Sequence, residues 1–178
     1  MTRYGQTIIE TKYNASSQTI ERISYTFGSE EITQTVSTLN PTPGAVTVTT
    51  TYTFGHDGHG SVRAVFRAFA ATVQVFTYTA YGELLANHNG VTAAIVSGSA
   101  SALADPSLAL TKQLYNGEGI NNRTGLYNFR ARWYSASNGR FERGDLFKGN
   151  HNDPFSFNRY GFVHGDPMQG IDPSGEIF

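Results

Sequence analysis

The sequence predicts an all-β fold made of successive antiparallel β-hairpins. Three observations lead to this prediction. Apolar residues alternate with threonine in several short runs, Asp-Gly and Asn-Gly pairs separate such runs, and no long window has the 3.6-residue period of an amphipathic helix. Threonine, whose branched side chain packs well on a pleated sheet, occurs 18 times in residues 1–100 and twice in residues 101–178.

The composition excludes several other classes of protein. The chain of 178 residues has 13 basic and 14 acidic residues, a net charge of −1, so we expect no nucleic-acid or anionic-membrane partner. Ten Tyr, twelve Phe and one Trp supply enough apolar surface for a packed core, which excludes a disordered chain. The absence of cysteine excludes disulfides and thiolate metal sites. No run approaches the roughly 18 apolar residues of a membrane span, and no signal-peptide core is visible.

Three runs in the front half have the pattern of strands. In residues 45–54, Val, Tyr and Phe side chains alternate with Thr, and residues 22–27 repeat this alternation with Ile, Tyr and Phe. Residues 72–79 carry apolar or Thr side chains on both faces, which favours a more central strand. The segments 56–60 and 81–82 follow with turn chemistry, because the Asp57-Gly58 pair can supply the positive φ angles of a tight hairpin.

Residues 90–110 interrupt the hairpins. They are rich in Ala and Ser and lack alternation, so we predict a flexible loop, with a short helix over residues 106–112 as the alternative. The resulting division is a hairpin-repeat region at 1–89, a loop or linker at 90–112 and a C-terminal block at 113–178.

The C-terminal block is predicted to contain one strand over residues 126–134, followed by a hairpin at Asn138-Gly139. On this strand the core face carries Tyr127, Phe129, Ala131 and Trp133. The opposite face carries Arg130 and Arg132, for which we predict structural ion pairs with acidic residues such as Glu118 and Glu142.

Specific segments of the chain resemble the Rhs/YD-repeat proteins. In the C-terminal block these are LYNGEGINNRTGLYNFRARWYSASNGRF at 114–141, DLFKGN at 145–150 and HGDPMQGIDPSG at 164–175. In the front half they are GHDGHGSVR at 55–63 and FTYTAYGELL at 76–85. The similarity spans about residues 50–175 and makes residues 113–178 similar to the Rhs repeat-associated core domain.

The resemblance implies a fold and a role. Rhs proteins wind β-hairpins into a hollow shell, and the core block closes its end, often ahead of a variable toxin segment. A location outside the cell or at its surface follows by the same resemblance. The implied partners are further Rhs/YD repeats, other copies of the chain, or a toxin segment in a longer parent protein.

In several bacterial members the core block is also an aspartyl autoprotease. Asp145 and Asp172 match the two aspartates of the family signature, Arg143 would tune the pair electrostatically, and Asp166 is a third acid nearby. Two adjacent carboxylates share a proton, so that one acts as acid and the other as base. The structural alternative is that both aspartates form turns, as Asp commonly does before Pro.

Three departures from the family pattern favour the structural alternative. Leu146 follows Asp145 where the signature has Pro, extra residues occur around 151–154, and Glu176 stands where cleaving members have Leu. Because the chain stops at Phe178, we expect no toxin segment to be released from it.

We expect no metal or cofactor site. His56, Asp57 and His59 are ligand types, but they lie in one glycine-rich turn without a second ligand cluster. Thr-lined strands with few Lys are poorly protected sheet edges, which predicts association of copies, as an open filament unless the rotation closes.

The sequence therefore predicts a structural shell or cap module of a secreted repeat protein, without turnover. One alternative is an autoprotease that uses Asp145 and Asp172 to cut near the Asp-Pro-Ser-Gly segment at 172–175. The other is a self-assembling extracellular fibre or adhesive subunit.

Overall fold

Antiparallel β-strands form the regular structure of the chain. The computed structural model describes residues 9–27, 31–39, 48–67, 71–89 and 109–176. Within these ranges the strands are β1 (Ile9–Tyr13), β2 (Thr19–Phe27), β3 (Glu31–Thr38), β4 (Val48–His56), β5 (Val62–Arg67), β6 (Ala71–Tyr78), β7 (Leu84–Asn89), β8 (Gly119–Asn121), β9 (Leu126–Asn128), β10 (Trp133–Ser135) and β11 (Arg140–Phe141). Strands β1–β7 form one sheet and β8–β11 a second, each in chain order, which confirms the predicted all-β hairpin fold.

Helical structure in the described ranges is limited to short 3₁₀ turns. These are Tyr115–Gly117, Pro154–Phe157 and Val163–Gly165. None of the described helical turns is long and apolar enough to cross a membrane.

The predicted front strands are confirmed, with small shifts in their bounds. The strand predicted at 45–54 is β4, whose described part runs on to His56, while residues 45–47 lie outside the described ranges. The strand predicted at 72–79 is β6, which pairs with β5 on one side and β7 on the other. Alternation separates the two faces, so that Thr35 and Thr51 on the outer face bring their hydroxyls within 3.2 Å.

The turns β4–β5 and β6–β7 lie at the same end of the large sheet, because every second connection of an antiparallel meander joins the strands at the same end. In the β4–β5 turn, Asp57 Oδ1 accepts the N–H groups of His59 and Ser61, both at 3.0 Å. The positive φ of this turn falls on Gly60, at 82°, and not on Gly58. The β6–β7 turn uses Gly82, with φ of 88°. The predicted turn positions are confirmed, and the aspartate acts by accepting backbone hydrogen bonds.

The segment predicted as a loop or helix falls mainly outside the described residues. Residues 90–108 are not described, and residues 109–112 have no helical structure. Leu110 N donates to Gln74 Oε1 on β6 at 2.8 Å, and Lys112 Nζ pairs with Glu10 on β1 at 2.8 Å. One short segment thus reaches both β1 and β6, which are separated by four strands, because the sheet is curled.

The prediction of one strand over residues 126–134 is wrong. The chain reverses there, and β9 pairs antiparallel with β10. Asn128 Oδ1 accepts the N–H of Arg130 at 2.9 Å, and Arg130 adopts a left-handed φ of 67°. The reversal shifts the alternation, so that Trp133 is 43% exposed whereas Tyr134 is fully buried. A local side chain-to-backbone hydrogen bond offered the chain a turn in place of a continuous strand.

One hydrophobic core joins the two sheets. The large sheet contributes Phe54, Val62, Val65, Phe76 and Leu84, and the C-terminal block contributes Leu114, Tyr115, Ile120, Tyr127, Phe129, Tyr134, Ala136, Phe141, Phe162 and Val163. At its centre the rings of Tyr134 and Phe162 lie 4.6 Å apart, and those of Phe129 and Tyr134 lie 5.2 Å apart. Such ring pairs add about 0.5–1.5 kcal/mol each to the burial of apolar area. The predicted Asn138-Gly139 hairpin, which is confirmed, brings Phe141 into this centre.

Candidate functional site

The β9–β10 turn positions a buried arginine. Arg132 is the last residue of the turn, and its carbonyl accepts the N–H of Phe129 at 3.0 Å, which closes the turn. The guanidinium carbon of Arg132 lies 3.7 Å from the centre of the Phe141 ring, and Nη1 donates to the Arg159 carbonyl at 3.2 Å. The side chain is 6% exposed. Its charge is therefore removed from water and needs nearby anions.

Two aspartates supply those anions, and they are the two that match the aspartates of the Rhs/YD-repeat signature. Arg132 Nη2 lies 3.1 Å from Asp145 Oδ2 and 3.4 Å from Asp172 Oδ2. Because both oxygens contact one nitrogen, they lie no further apart than 6.5 Å, the sum of these distances. The residues Asp145 and Asp172 are 6% and 4% exposed. The structure thus brings the predicted carboxylates together, with a guanidinium between them.

Asp145 is held in place by hydrogen bonds with other residues of the C-terminal block. Its N–H donates to the Arg159 carbonyl at 2.8 Å, and its own carbonyl accepts from Arg159 Nε at 2.7 Å. Asp145 Oδ1 accepts the N–H of Phe147 at 2.8 Å, so one carboxylate oxygen closes a turn. The other oxygen, Oδ2, faces Arg132.

Asp172 closes a second turn in the same way. Its Oδ1 accepts the N–H groups of Ser174 at 3.1 Å and Gly175 at 2.7 Å, and the Ser174 hydroxyl at 3.3 Å. Gly175 has φ of 72°, and a Cβ placed on it would lie 2.0 Å from the Phe129 carbonyl oxygen. Only glycine fits at this position, because a side chain would both strain the backbone and collide with it.

The structure does not bring Arg143 to the carboxylates. Its side chain is exposed and makes no hydrogen bond or ion pair with any residue in the described part of the chain. Asp166 is also exposed, and its carbonyl accepts the N–H of Gly170 at 3.0 Å in a turn. The predicted pair of Arg130 with Glu118 is present at 3.0 Å, whereas Arg132 pairs with the two aspartates and not with Glu142.

The arrangement has two chemical uses. One guanidinium between two carboxylates offsets most of their mutual repulsion, and in a buried site it links three distant parts of the chain. Two carboxyl groups this close are also suited to acid and base roles on a peptide bond placed beside them. Arg132 Nε donates to the Gly175 carbonyl, so the guanidinium also touches the segment that follows Asp172.

Two of the side chains of metal-ligand type in the β4–β5 turn, Asp57 and His59, contact other parts of the protein. Asp57 Oδ2 pairs with Arg63 Nε at 3.1 Å, and His59 Nε2 donates to the Met168 carbonyl at 3.0 Å. A cleft of about 320 Å³ lies beside them, also lined by Tyr78. Within the described residues, no three His, Asp or Glu side chains are grouped as metal ligands.

A set of buried tyrosines connects the C-terminal block to the β6–β7 turn. The hydroxyls of Tyr115, Tyr134 and Tyr127 donate to the carbonyls of Ala80, Tyr81 and Gly82, at 2.8, 2.8 and 3.1 Å. Burial raises the pKa of Tyr115 from 10.0 to about 12 and also raises the pKa of Tyr127 and Tyr134. Sequence reasoning did not identify this set, because the tyrosines are far from the turn along the chain.

Sequence comparison finds curated proteins that are similar to part of this chain. No protein-family model matches the chain. Over 124 residues, 70% of the chain, it is 25% identical to the tRNA nuclease WapA of Bacillus subtilis strain 168. It is likewise 25% identical over 124 residues to the tRNA3(Ser)-specific nuclease WapA of Bacillus spizizenii. The chain spans only 5% of the length of these relatives.

Solved structures that are similar in fold include TcdB2-TccC3 and a Tc holotoxin pore. The crystal structure of TcdB2-TccC3 without its hypervariable C-terminal region matches 95% of this chain and 7% of its own, with a TM-score of 0.68 and 17% identity. A Tc holotoxin pore of Photorhabdus luminescens matches 94% of this chain and 9% of its own, with a TM-score of 0.52 and 15% identity. These likenesses confirm an Rhs-related all-β shell fold.

Proposed function

We propose that the chain is a structural shell module whose C-terminal block closes one end of the β-sheet, without catalytic turnover. The observation that carries the proposal is the set of tyrosine hydroxyls, from residues 115, 127 and 134, on the consecutive carbonyls of the β6–β7 turn. Turn carbonyls at the end of a sheet otherwise need water. A block that satisfies them from its own core acts as a lid on that end.

Further contacts with both the β4–β5 and the β6–β7 turn support the same role. His59 Nε2 donates to the Met168 carbonyl, and Tyr81 Oη donates to the Gly165 carbonyl at 3.2 Å. The N–H of Val62 donates to the Leu114 carbonyl at 3.0 Å. The β4–β5 and β6–β7 turns are therefore both covered by the block. A repeat array needs such capping where its stack of hairpins ends.

Hydrogen exchange tests the capping role. In the protein, amides of the two covered turns should exchange together with the core, at least about tenfold more slowly than amides of the edge strand β1. The triple variant Tyr115→Phe, Tyr127→Phe, Tyr134→Phe should lose this protection at residues 79–83. Turn amides that exchange freely in the unaltered protein would contradict the proposal.

Autoproteolysis is the second candidate, and the pairing of Asp145 with Asp172 beside the chain segment 172–176 favours it. In such a reaction one carboxylate takes a proton from water, whose oxygen attacks the peptide carbonyl. The other, protonated carboxyl gives its proton to the leaving nitrogen as the C–N bond breaks. We rank this reaction second because both Oδ1 atoms are committed to turn N–H groups.

Intact-mass measurement separates the two candidates. The chain is extended beyond Phe178 by a soluble tag and compared with the same protein carrying Asp172→Asn. A structural module stays uncut in both forms over days. A shortened product from the parent chain that is missing from the Asp172→Asn chain would establish the autoprotease.

Association through sheet edges is the third candidate. Among the described strands, β1 and β7 are the outer strands of the large sheet, and an outer strand is where a further hairpin or another copy would pair. Light scattering and negative-stain microscopy at high concentration test this, and a strictly monomeric protein would exclude filaments. We also propose that the chain is located outside the cell or at its surface. We do not propose the nuclease activity named for WapA, since the match covers a twentieth of that protein.

A further inference from the structure

The segment that follows Asp172 lies on the β9–β10 turn in a regular register. Arg130 Nη1 donates to the Pro173 carbonyl, Ala131 N lies 3.4 Å from the Ser174 carbonyl, and Arg132 Nε donates to the Gly175 carbonyl. Consecutive residues of the turn thus bind consecutive carbonyls of the segment. A peptide-binding site contacts its peptide in the same way, so we call residues 129–132 the receptor and residues 172–175 the segment.

The conformation of residues 172–175 is fixed by contacts within the segment itself. The carboxylate of Asp172 accepts the N–H groups of Ser174 and Gly175, so hydrogen bonds within the four residues close the turn without the receptor. Pro173 fixes one backbone angle in addition. A preorganised segment loses little conformational entropy when it binds.

The receptor side is held in place independently of the segment. Glu118 pairs with Arg130 at 3.0 Å, and Asp145 pairs with Arg132 at 3.1 Å. Arg132 is also packed against the Phe141 ring. These contacts do not involve residues 172–175, so they do not depend on the presence of the segment.

The site selects two of the four residues. An aspartate is required at the first position, because its Oδ1 closes the turn while its Oδ2 meets Arg132. A glycine is required at the fourth, where a Cβ would lie 2.0 Å from Phe129 O. The third position is exposed and selects nothing. The chain also contains Asp-Pro-Phe-Ser at 153–156 and Asp-Pro-Met-Gln at 166–169, which lack the glycine.

We propose that residues 129–132 form a peptide-binding site for an Asp-Pro-x-Gly turn, filled here by residues 172–175 and able to take the same turn from a second copy of the chain. Exchange of this terminal turn links copies without any change to the core. It joins modules by a mechanism separate from pairing of sheet edges, and it does not depend on peptide-bond cleavage.

A labelled peptide of residues 171–178 tests the proposal by fluorescence anisotropy on full-length protein. The variant Asp172→Asn removes the charge that pairs the chain's own segment with Arg132, and it keeps the pairs Arg132–Asp145 and Arg130–Glu118. It should bind the peptide saturably, at least about tenfold more tightly than the unaltered chain, whose own segment competes at a high effective concentration. The full-length variant Gly175→Ala provides the same measurement by a different lesion.

Three controls decide the specificity. The peptide carrying Gly175→Ala and a peptide of residues 164–171, which contains Asp-Pro-Met-Gln, should each bind at least about tenfold more weakly. Adding Arg130→Met to the Asp172→Asn protein should weaken binding of the parent peptide to a similar extent. No saturable binding to either variant up to about 1 mM peptide, or equal binding of the Gly175→Ala peptide, would overturn the proposal.

Discussion

Replacing Arg132 by methionine is the strongest test of how the C-terminal block is held together. The change keeps a long apolar stem but removes the charge that lies between Asp145 and Asp172. Both carboxylates then remain buried without a cation. It also removes the donors to the Arg159 and Gly175 carbonyls.

The expected cost follows from burial. The three side chains in the cluster are 6%, 6% and 3% exposed, so water cannot replace the lost guanidinium without opening the block. Breaking a buried pair by removing one partner costs about 3–5 kcal/mol. For a protein of this size about 4 kcal/mol lowers the melting temperature by about 8–16 °C.

The measurement is urea-induced unfolding followed by tyrosine and tryptophan fluorescence, with calorimetry in parallel. Arg143→Met is the matched control, because Arg143 is exposed and should change stability by no more than about 0.5 kcal/mol. The triple variant Arg132→Met, Asp145→Asn, Asp172→Asn should regain most of the loss. Its amide oxygens can still accept the turn N–H groups, and no buried charge is left.

Two results would refute this reasoning. Arg132→Met within about 1 kcal/mol of the unaltered protein would mean that the cluster is hydrated or open. A triple variant no more stable than Arg132→Met would mean that the cost came from lost packing and not from unpaired charge.

Three further predictions concern the contact between the block and the sheet. The free energy of unfolding should fall as pH rises from about 10 to about 12, because burial raises the pKa of Tyr115 from 10.0 to about 12 and the folded state therefore favours the neutral hydroxyl. Urea titrations at room temperature that give the same midpoint at about pH 9 and about pH 11 would contradict this. Tyr134→Phe should cost about 0.5–1.5 kcal/mol, because it removes the hydrogen bond from the Tyr134 hydroxyl to the Tyr81 carbonyl, whereas Tyr13→Phe at a 61% exposed position should be neutral in the same assay. Gly82→Ala should destabilise the protein more than Gly125→Ala, because both glycines have positive φ but only at Gly82 would the added Cβ collide, at 2.3 Å from the Tyr115 ring. Equal losses of unfolding free energy in the two variants would exclude the collision.

The local features of the large sheet could be predicted because they depend on neighbours in the sequence. Alternation of Thr with Val, Tyr and Phe over residues 48–54 defines the two faces of β4 without reference to any other strand. The turns at Asp57 and at Asn138-Gly139 are equally local, since their chemistry lies within four or five residues. The resemblance added the shell-type fold that the comparisons confirm.

The same period-2 rule failed at residues 126–134 for a physical reason. One hydrogen bond from Asn128 to the N–H of Arg130 reverses the chain, and every later side chain then changes face. Asn128 was the available signal, because asparagine often begins a turn of this kind. The reversal also decided which arginine became buried.

The candidate site shows where sequence and tertiary structure divide. The all-β class and the hairpin turns come from the sequence by itself, and its resemblance to the Rhs/YD-repeat proteins adds Asp145 and Asp172 as a pair. The tertiary structure decided that Arg132, and not Arg143, lies between them, and that Gly175 occupies a position with no space for a side chain. Arg132 and Asp172 are 40 residues apart, so no local pattern records their contact. Such pairings depend on how the whole block folds onto its aromatic core, where burial makes each charge require a partner.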